Sequence, residues 1–146
     1  RRAGVECVVE LHGTLDSFYC ADCHHPAIPA TYESAILAHT VPHCTQCGGV
    51  VRPAIVFFGE PIHDHPPSYH TDRMIMDLLL VIGTSLRVQP VSKYPQMAPW
   101  DVPAVLVNQT MVGRPNEFDV CVLGDCAQSA RALADELGWE LKAPTQ

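Results

Sequence analysis

Two pairs of closely spaced cysteines are the strongest chemical feature of the sequence. Cys20 and Cys23 form one Cys-x2-Cys pair, and Cys44 and Cys47 form a second after twenty intervening residues. Each pair can span one edge of a tetrahedron whose sulfur ligands lie about 2.3 Å from a zinc ion. The total of seven cysteines is odd, and the first residues do not resemble a cleaved secretory signal. Both observations argue against a disulfide framework. The spacing predicts a zinc site, with a dithiol redox pair or four unrelated buried thiols as the alternatives.

Four thiolates fill a tetrahedral zinc ion and leave no position for water or substrate, so the predicted Zn²⁺ is structural. Gly48 and Gly49 follow the second pair and suit a chain that turns tightly around a metal. His24, His25 and His43 lie near the cysteines and are ligands in principle. With four cysteines available, exposed loop histidines are the favoured interpretation. Catalytic chemistry is therefore expected elsewhere in the chain.

The pattern of apolar residues predicts an α/β fold. We expect a strand over residues 5–11, a short helix over 31–39, and a surface loop over 63–73 that leads into a weak helix. Apolar runs that end in small or polar residues predict the strands of a parallel sheet. These runs are residues 54–60, 77–86, 102–109 and 118–126. An amphipathic helix follows, with Asp125 as its N-cap and Gly138 at its C-terminal end.

The carboxyl ends of these predicted strands carry small and hydrogen-bonding residues. They read Gly59-Glu60, Gly83-Thr84-Ser85, Asn108-Gln109 and Gly124-Asp125-Cys126. Ligands of parallel α/β sheets bind outside the carboxyl ends of the strands. Glycine lets a phosphate or ribose approach the backbone, and hydroxyl and amide groups bind ribose oxygens. Turn chemistry explains any one of these sequences alone, but the four together favour a nucleotide site.

The charge balance limits the classes of partner. Sixteen acidic and nine basic residues give a net charge of −7, and no lysine or arginine occurs between His12 and Val51. A nucleic-acid-binding module needs a cationic face, so we expect no direct nucleic-acid partner, whereas an acidic surface favours a lysine-rich one. No apolar run approaches the roughly 20 residues of a membrane span, so no membrane partner is expected either.

Five motifs, in order and spacing, resemble the sirtuin family of NAD-dependent protein-lysine deacetylases. They are ELHGTLDSFYCADC, PHCTQCGG with RPAIVFFGE after two intervening residues, DLLLVIGTSLRVQPV, VPAVLVN and FDVCVLGDC. The resemblance extends from about residue 3 to residue 141 and is strongest to the eukaryotic nuclear and cytoplasmic branch. It implies a partial Rossmann-type parallel sheet with helices plus a small four-cysteine zinc ribbon, and a location in the nucleus or cytoplasm.

The resemblance also implies domain bounds and a catalytic residue. Residues 1–14 would hold an entry strand and the catalytic-histidine loop, 15–51 the zinc module, and 52–146 the C-terminal part of the NAD-binding domain. In the family the histidine of the His-Gly pair, here His12, is the general base on a ribose hydroxyl. The acetyl oxygen attacks the anomeric carbon as nicotinamide leaves, giving deacetylated lysine and O-acetyl-ADP-ribose. Imidazole suits this role because its pKa lies near working pH. From the residues alone, without the resemblance, the favoured interpretation of His12 is a loop histidine.

Two further sets of site residues are implied in the same way. The residues expected to contact NAD are Gly83, Thr84, Ser85, Asn108, Gln109 and Cys126. Those expected to contact the acyl-lysine peptide, which would pair with the backbone as an added strand, are Val56, Phe58, Gly59, Glu60, Arg87 and Val88. Cys7 and Cys121 lie in apolar runs and are expected to be small buried hydrophobes.

The sequence also departs from the family pattern. The glycine-rich phosphate loop and the Asp-Phe-Arg, Thr-Gln-Asn and Asn-Ile-Asp motifs are absent from these 146 residues. We therefore expect a C-terminal part of the catalytic core that depends on a missing N-terminal half and has weak or no deacetylase activity alone. The sequence GEPIHDHP lacks the usual leucine-proline, which leaves the peptide register open. The expected substrate is an acetyl-lysine protein or peptide, with histone tails as candidates, and the alternative is a non-catalytic zinc-ribbon and nucleotide-binding interaction module.

Overall fold

The computed structural model describes residues 4–62 and 67–141. The chain divides into two compact units, Glu6–Pro66, called here the cysteine unit, and a sheet unit formed by Arg1–Val5 with Pro67–Gln146. The helices and strands of the cysteine unit are β1 (Gly13–Cys20), β2 (Pro26–Ala27), α1 (Pro29–Leu37) and β3 (Val51–Ile55). Those of the sheet unit are α2 (Pro67–Ile75), β4 (Leu79–Ile82), α3 (Tyr94–Met97), β5 (Ala104–Asn108), β6 (Val120–Leu123) and α4 (Cys126–Glu136).

The cysteine unit contains an antiparallel sheet in the order β2-β1-β3. The pairing of β1 with β3 starts at Gly13 opposite Ile55 and shifts register between Thr14 and Phe18. The buried core is small and rich in sulfur, since it consists of Cys20, Tyr32, Cys44 and Val51. A core of this size supplies little stability by itself, so a bound metal would add substantially to it.

The sheet unit confirms the predicted parallel sheet. Its strand order is β4-β5-β6, and both pairs of neighbouring strands are parallel. The central strand β5 is buried, with Leu106 fully inaccessible to solvent. The N-cap of α4 is Asp125, as predicted, because its side chain accepts a hydrogen bond from the Gln128 N–H at 2.9 Å. Gly138 has a φ of +66° just after the helix, which explains why the helix ends there.

The predicted strand over residues 5–11 is wrong. This segment is irregular up to the turn at residues 11–12, and the strand begins only at Gly13. A strand needs a neighbour for its backbone groups, and no described strand pairs with this segment. Val5 and Val9 are each more than half exposed. The domain bounds implied by the resemblance stay a prediction.

The predicted strand over residues 54–60 is only partly correct. The strand spans Val51–Ile55 and pairs antiparallel with β1, so the strand that precedes Gly59 and Glu60 does not belong to the parallel sheet. The periodicity of an apolar run does not specify its pairing partner.

The expected burial of Cys7 and Cys121 is also wrong, because both are exposed, Cys121 on the edge strand β6.

The helix predicted over residues 31–39 is confirmed with a shift, since α1 begins at Pro29, a residue favoured at the first helical position. The weak helix predicted after the histidine-rich loop is α2, while residues 63–66 of that loop lie outside the described residues. Among the described residues, no helix has the length and apolar character needed to cross a membrane.

Candidate functional site

The four cysteines of the two predicted pairs converge on one point. The Sγ atoms of Cys20, Cys23, Cys44 and Cys47 all lie within 4.8 Å of one another. The Cys20 and Cys47 sulfurs are 3.4 Å apart, and those of Cys23 and Cys44 are 3.8 Å apart. Sulfurs about 2.3 Å from a tetrahedral zinc ion would be separated by about 3.8 Å. The spacing of the sulfurs therefore fits zinc.

Backbone geometry around the second pair shapes this cluster. The Gln46 N–H points to the Cys44 sulfur and the Gly49 N–H to the Cys47 sulfur, each at 3.4 Å. Gly48 adopts a φ of +77°, as a tight turn requires. A Cβ atom on Gly49 would lie 2.2 Å from an oxygen of Asp22 and 2.9 Å from the Cys20 sulfur. The two glycines thus meet different needs, a left-handed backbone at the first and close packing at the second.

The local electrostatics of the cluster favour a bound cation. The Cys23 N–H lowers the pKa of Cys20 to about 7, and the Cys47 N–H lowers the pKa of Cys44. The Gly49 N–H also acts to lower the pKa of Cys47. This effect is outweighed by the sulfurs of Cys23 and Cys20 and by burial, which raise the pKa of Cys47 to about 12. Several thiolates so close together repel one another. A divalent cation among them would remove that repulsion, so the donor set fits structural Zn²⁺.

The neighbouring histidines make other contacts. The Nδ1 atom of His43 lies 2.9 Å from the Gly48 carbonyl oxygen. The ring of His24 stacks on Tyr19 with centroids 6.2 Å apart. The four-cysteine cluster does not include a histidine among the described residues. These contacts support the interpretation of loop histidines.

His12 is exposed and lies in a tight turn directly before β1. The turn is closed by a hydrogen bond from the Gly13 N–H to the Glu10 carbonyl at 2.9 Å, and the Val56 N–H donates to the His12 carbonyl at 3.0 Å. Gly13 has a φ of +78°, and a Cβ atom there would lie 1.9 Å from the Ala54 carbonyl oxygen. The glycine of the His-Gly pair therefore lets the backbone beside His12 pack directly on β3.

A cavity of about 510 Å³ lies at the carboxyl ends of the parallel strands. All six residues predicted to contact NAD line it, which are Gly83, Thr84, Ser85, Asn108, Gln109 and Cys126. Their roles as ligand contacts stay predictions. The cavity wall also includes Arg87, Thr110, Met111, Val112 and Asp125. Prediction from the sequence missed the segment 110–112, since it lies in an irregular connection without a recognisable motif.

Asn108 ties two loops of this cavity together. Its side chain is buried, with 7% of the residue exposed. The Oδ1 atom accepts a hydrogen bond from the Thr84 N–H at 3.1 Å, and Nδ2 donates to the Thr110 carbonyl at 2.9 Å. Cys126 donates its thiol hydrogen to the Val107 carbonyl at 3.5 Å. These bonds fix the backbone on both sides of the cavity. The arrangement can present N–H, hydroxyl and amide groups to a polar ligand such as a ribose.

The residues predicted to contact the peptide fall in two segments. Val56, Phe58, Gly59 and Glu60 follow β3 in the cysteine unit, and Phe58 is 95% exposed. A cavity of about 570 Å³ beside this segment includes Val56 and Glu60 in its wall. Arg87 and Val88 follow β4 in the sheet unit, and both are exposed. The peptide-binding role of all six residues stays a prediction.

Comparisons with known proteins give the family. The family model described as the Sir2 family matches residues 1–90. NAD-dependent protein deacetylase hst2-2 of Emericella nidulans is 44% identical over 145 residues, which cover 94% of this chain and 41% of the relative. NAD-dependent protein deacetylase sirtuin-3 of Mus musculus is 37% identical. This match covers 90% of this chain and 41% of the relative.

Solved structures agree with these matches. A structure of a Sir2 protein with a p53 peptide and NAD⁺ has a TM-score of 0.82 and 27% identity, over 92% of this chain and 57% of that protein. A structure of a Sir2 protein bound to a propionylated peptide has a TM-score of 0.83. The match covers 94% of this chain and 59% of that protein. The chain belongs to the Sir2 family, as the motifs predicted. It spans about two fifths of the length of the two curated relatives above.

Proposed function

We propose that this chain forms part of an NAD-dependent protein-lysine deacetylase. The observation that carries the proposal is the cavity at the carboxyl ends of β4 and β5, which gathers six predicted NAD-contacting residues from separate segments of the chain. Its volume of about 510 Å³ lies in the usual range for ligand sites. Relatives at 37% and 44% identity are named NAD-dependent protein deacetylases. Fold similarity alone would not justify this function; the lining of the cavity is the further support for the proposal.

NAD, when bound, would supply the ADP-ribose that receives the acetyl group while nicotinamide leaves. The residues of this chain would bind and orient it. Gly83 exposes backbone at the end of β4, Thr84 and Ser85 contribute hydroxyl groups, and the buried Asn108 fixes the Thr84 N–H. The α4 N-terminus adds a favourable field for negative charge near Cys126.

His12 would act as the general base. Its imidazole is exposed, and its backbone is fixed by the hydrogen bond from the Val56 N–H and by the close approach of Gly13 to Ala54. A fixed base loses little entropy when it removes a proton. The four-cysteine cluster would hold Zn²⁺ and stabilise the fold of the unit that carries His12, without contact to the reacting atoms.

The proposal includes partners beyond this chain. The phosphate-loop motif is absent from the 146 residues, so an N-terminal half of the catalytic core would supply the pyrophosphate site. The substrate would be an acetyl-lysine protein, and histone tails fit because their lysines are attracted to an acidic protein of net charge −7. A location in the nucleus or cytoplasm is consistent with such a substrate.

The test is nicotinamide release from NAD by the full-length protein with an acetyl-lysine peptide. His12→Ala is expected to reduce the rate by at least about 100-fold, as loss of a general base does, with zinc content unchanged. His39→Asn is a matched control, because His39 is an exposed loop histidine whose φ of +54° asparagine tolerates. Undiminished turnover by His12→Ala would remove its assigned role. NAD binding without nicotinamide release in the unaltered protein would favour the non-catalytic interaction module.

A further inference from the structure

We propose that Arg52 is a positioning residue for the substrate peptide, a role that rests on the proposed function. Arg52 lies on β3, and its side chain holds the turn formed by Phe57, Phe58, Gly59 and Glu60, called here the peptide turn. It is the only lysine or arginine between Arg2 and Arg73. The cysteine unit therefore has no second lysine or arginine that could replace it.

The guanidinium of Arg52 makes three kinds of contact with the end of β3 and the peptide turn that follows it. It forms a two-pronged ion pair with Glu60, in which one nitrogen lies 2.8 Å from Oε2 and the other contacts Oε1. It donates a hydrogen bond to the Ile55 carbonyl at 2.7 Å. It also lies over the ring of Phe57, 4.3 Å from the ring centre. Arginine suits this arrangement because its planar fork matches a carboxylate while its face stacks on an aromatic ring.

Glu60 closes the peptide turn on itself. Its N–H donates to the Phe57 carbonyl at 3.0 Å, and its carboxylate accepts from the Phe57 N–H at 2.9 Å. Gly59 has a φ of +90°, which the third residue of such a turn requires. Phe58 is left at the tip with its side chain in solvent. The Glu60 carboxylate thus stabilises the turn, and the Phe58 side chain stays accessible at its tip.

The ion pair is partly shielded from water, since the side chains of Arg52 and Glu60 are 19% and 36% exposed. Exposed pairs contribute little, but a two-pronged pair with further hydrogen bonds is stronger and fixes geometry. Loss of Arg52 would remove the two-pronged ion pair from Glu60 and the guanidinium that lies over the Phe57 ring. The peptide turn would then sample other conformations, and a peptide would bind only a fraction of them.

The experiment compares Arg52→Ala, Arg52→Lys and Arg131→Ala with the unaltered full-length protein. Arg52→Ala is expected to raise the KM for an acetyl-lysine peptide about 5- to 30-fold while kcat and zinc content change little. Arg52→Lys should recover part of that loss, because lysine restores the charge but not the fork. Arg131→Ala, at an exposed position on α4, should match the unaltered protein.

An unchanged KM in Arg52→Ala would overturn the inference. A fall in kcat as large as the rise in KM would also overturn it, because a general structural defect produces that result. Failure of the proposed function gives a different result, since the unaltered protein itself would release no nicotinamide. In that case the inference is decided by fluorescence anisotropy of a labelled acetyl-lysine peptide. Equal affinity of Arg52→Ala and the unaltered protein would refute it, and a 5- to 30-fold weaker affinity of Arg52→Ala would support it.

Discussion

Gly13→Ala should destabilise the cysteine unit far more than an ordinary substitution at a left-handed glycine. The Cβ atom added at Gly13 would lie 1.9 Å from the Ala54 carbonyl oxygen, whereas an ordinary contact begins at 3.4 Å. Because the obstacle is backbone, no side chain can move aside to relieve the clash. Strands β1 and β3 would have to separate by about 1.5 Å, the difference between these distances.

The cost follows from two contributions. A non-glycine residue at a φ of +78° costs about 1–2 kcal/mol. Separation of the strands removes about two hydrogen bonds at the end of the pairing that begins with Gly13 opposite Ile55, each contributing about 0.5–1.5 kcal/mol. Gly13→Ala should therefore cost about 2–5 kcal/mol. Gly59→Ala is the matched control and should cost only about 1–2 kcal/mol. Gly59 has a φ of +90°, and among the described residues beyond its chain neighbours no atom lies within 4 Å of an added Cβ.

The assay is urea unfolding of the Co²⁺-loaded chain, followed by the thiolate-to-cobalt absorption, which reports the cysteine unit. Gly13→Ala is expected to show a free energy of unfolding lower than that of Gly59→Ala by at least about 1 kcal/mol. Equal free energies of unfolding for the two variants would mean that the approach of Gly13 to Ala54 does not constrain the fold. The explanation given for the glycine of the His-Gly pair would then be abandoned.

Two more predictions concern the metal and the nucleotide cavity. Cys44→Ser should lower bound zinc from about one ion per chain and should lower the melting temperature. Cys121→Ser, at an exposed position on the edge strand, should leave the zinc content and the melting temperature unchanged. Elemental analysis measures the zinc, and calorimetry measures the melting temperature. Zinc retained in full by Cys44→Ser would contradict the four-ligand site. Asn108→Ala should cost about 1–3 kcal/mol, because the Thr84 N–H and the Thr110 carbonyl both lose their buried partner, and should weaken NAD binding in calorimetric titration. Unchanged stability and affinity would refute its tethering role.

Features encoded by nearby residues were predictable from the sequence. Two residues separate the cysteines within each pair, and this spacing alone indicated the cluster of four sulfurs that could hold a metal ion. Helix α4 was predictable because Asp125 and Gly138 mark its ends. The buried strands β4 and β5 were predictable because their apolar runs are long and end in residues suited to turns.

Features that depend on distant pairing were not predictable. The run after Arg52 has the composition of a buried parallel strand, yet β3 pairs antiparallel with β1, some 40 residues earlier in the chain. Nothing local to residues 5–11 reveals whether a neighbouring strand exists for them. The contacts of Arg52 with Glu60 and Phe57 likewise arise from a turn whose shape is known only in three dimensions. The sequence alone shows only that Arg52 is the sole lysine or arginine between Arg2 and Arg73.

Strand β1 links two chemically unrelated places. It starts beside His12 and ends at Cys20, the first of the four clustered cysteines. If the cluster holds zinc, release of that metal would free the far end of the strand on which the position of His12 depends, so chelators and thiol oxidants would inhibit the proposed reaction without contact with the imidazole. Inhibitors of this kind would be non-competitive with both NAD and the peptide, and restored zinc would reverse chelation but not irreversible oxidation of the cysteines.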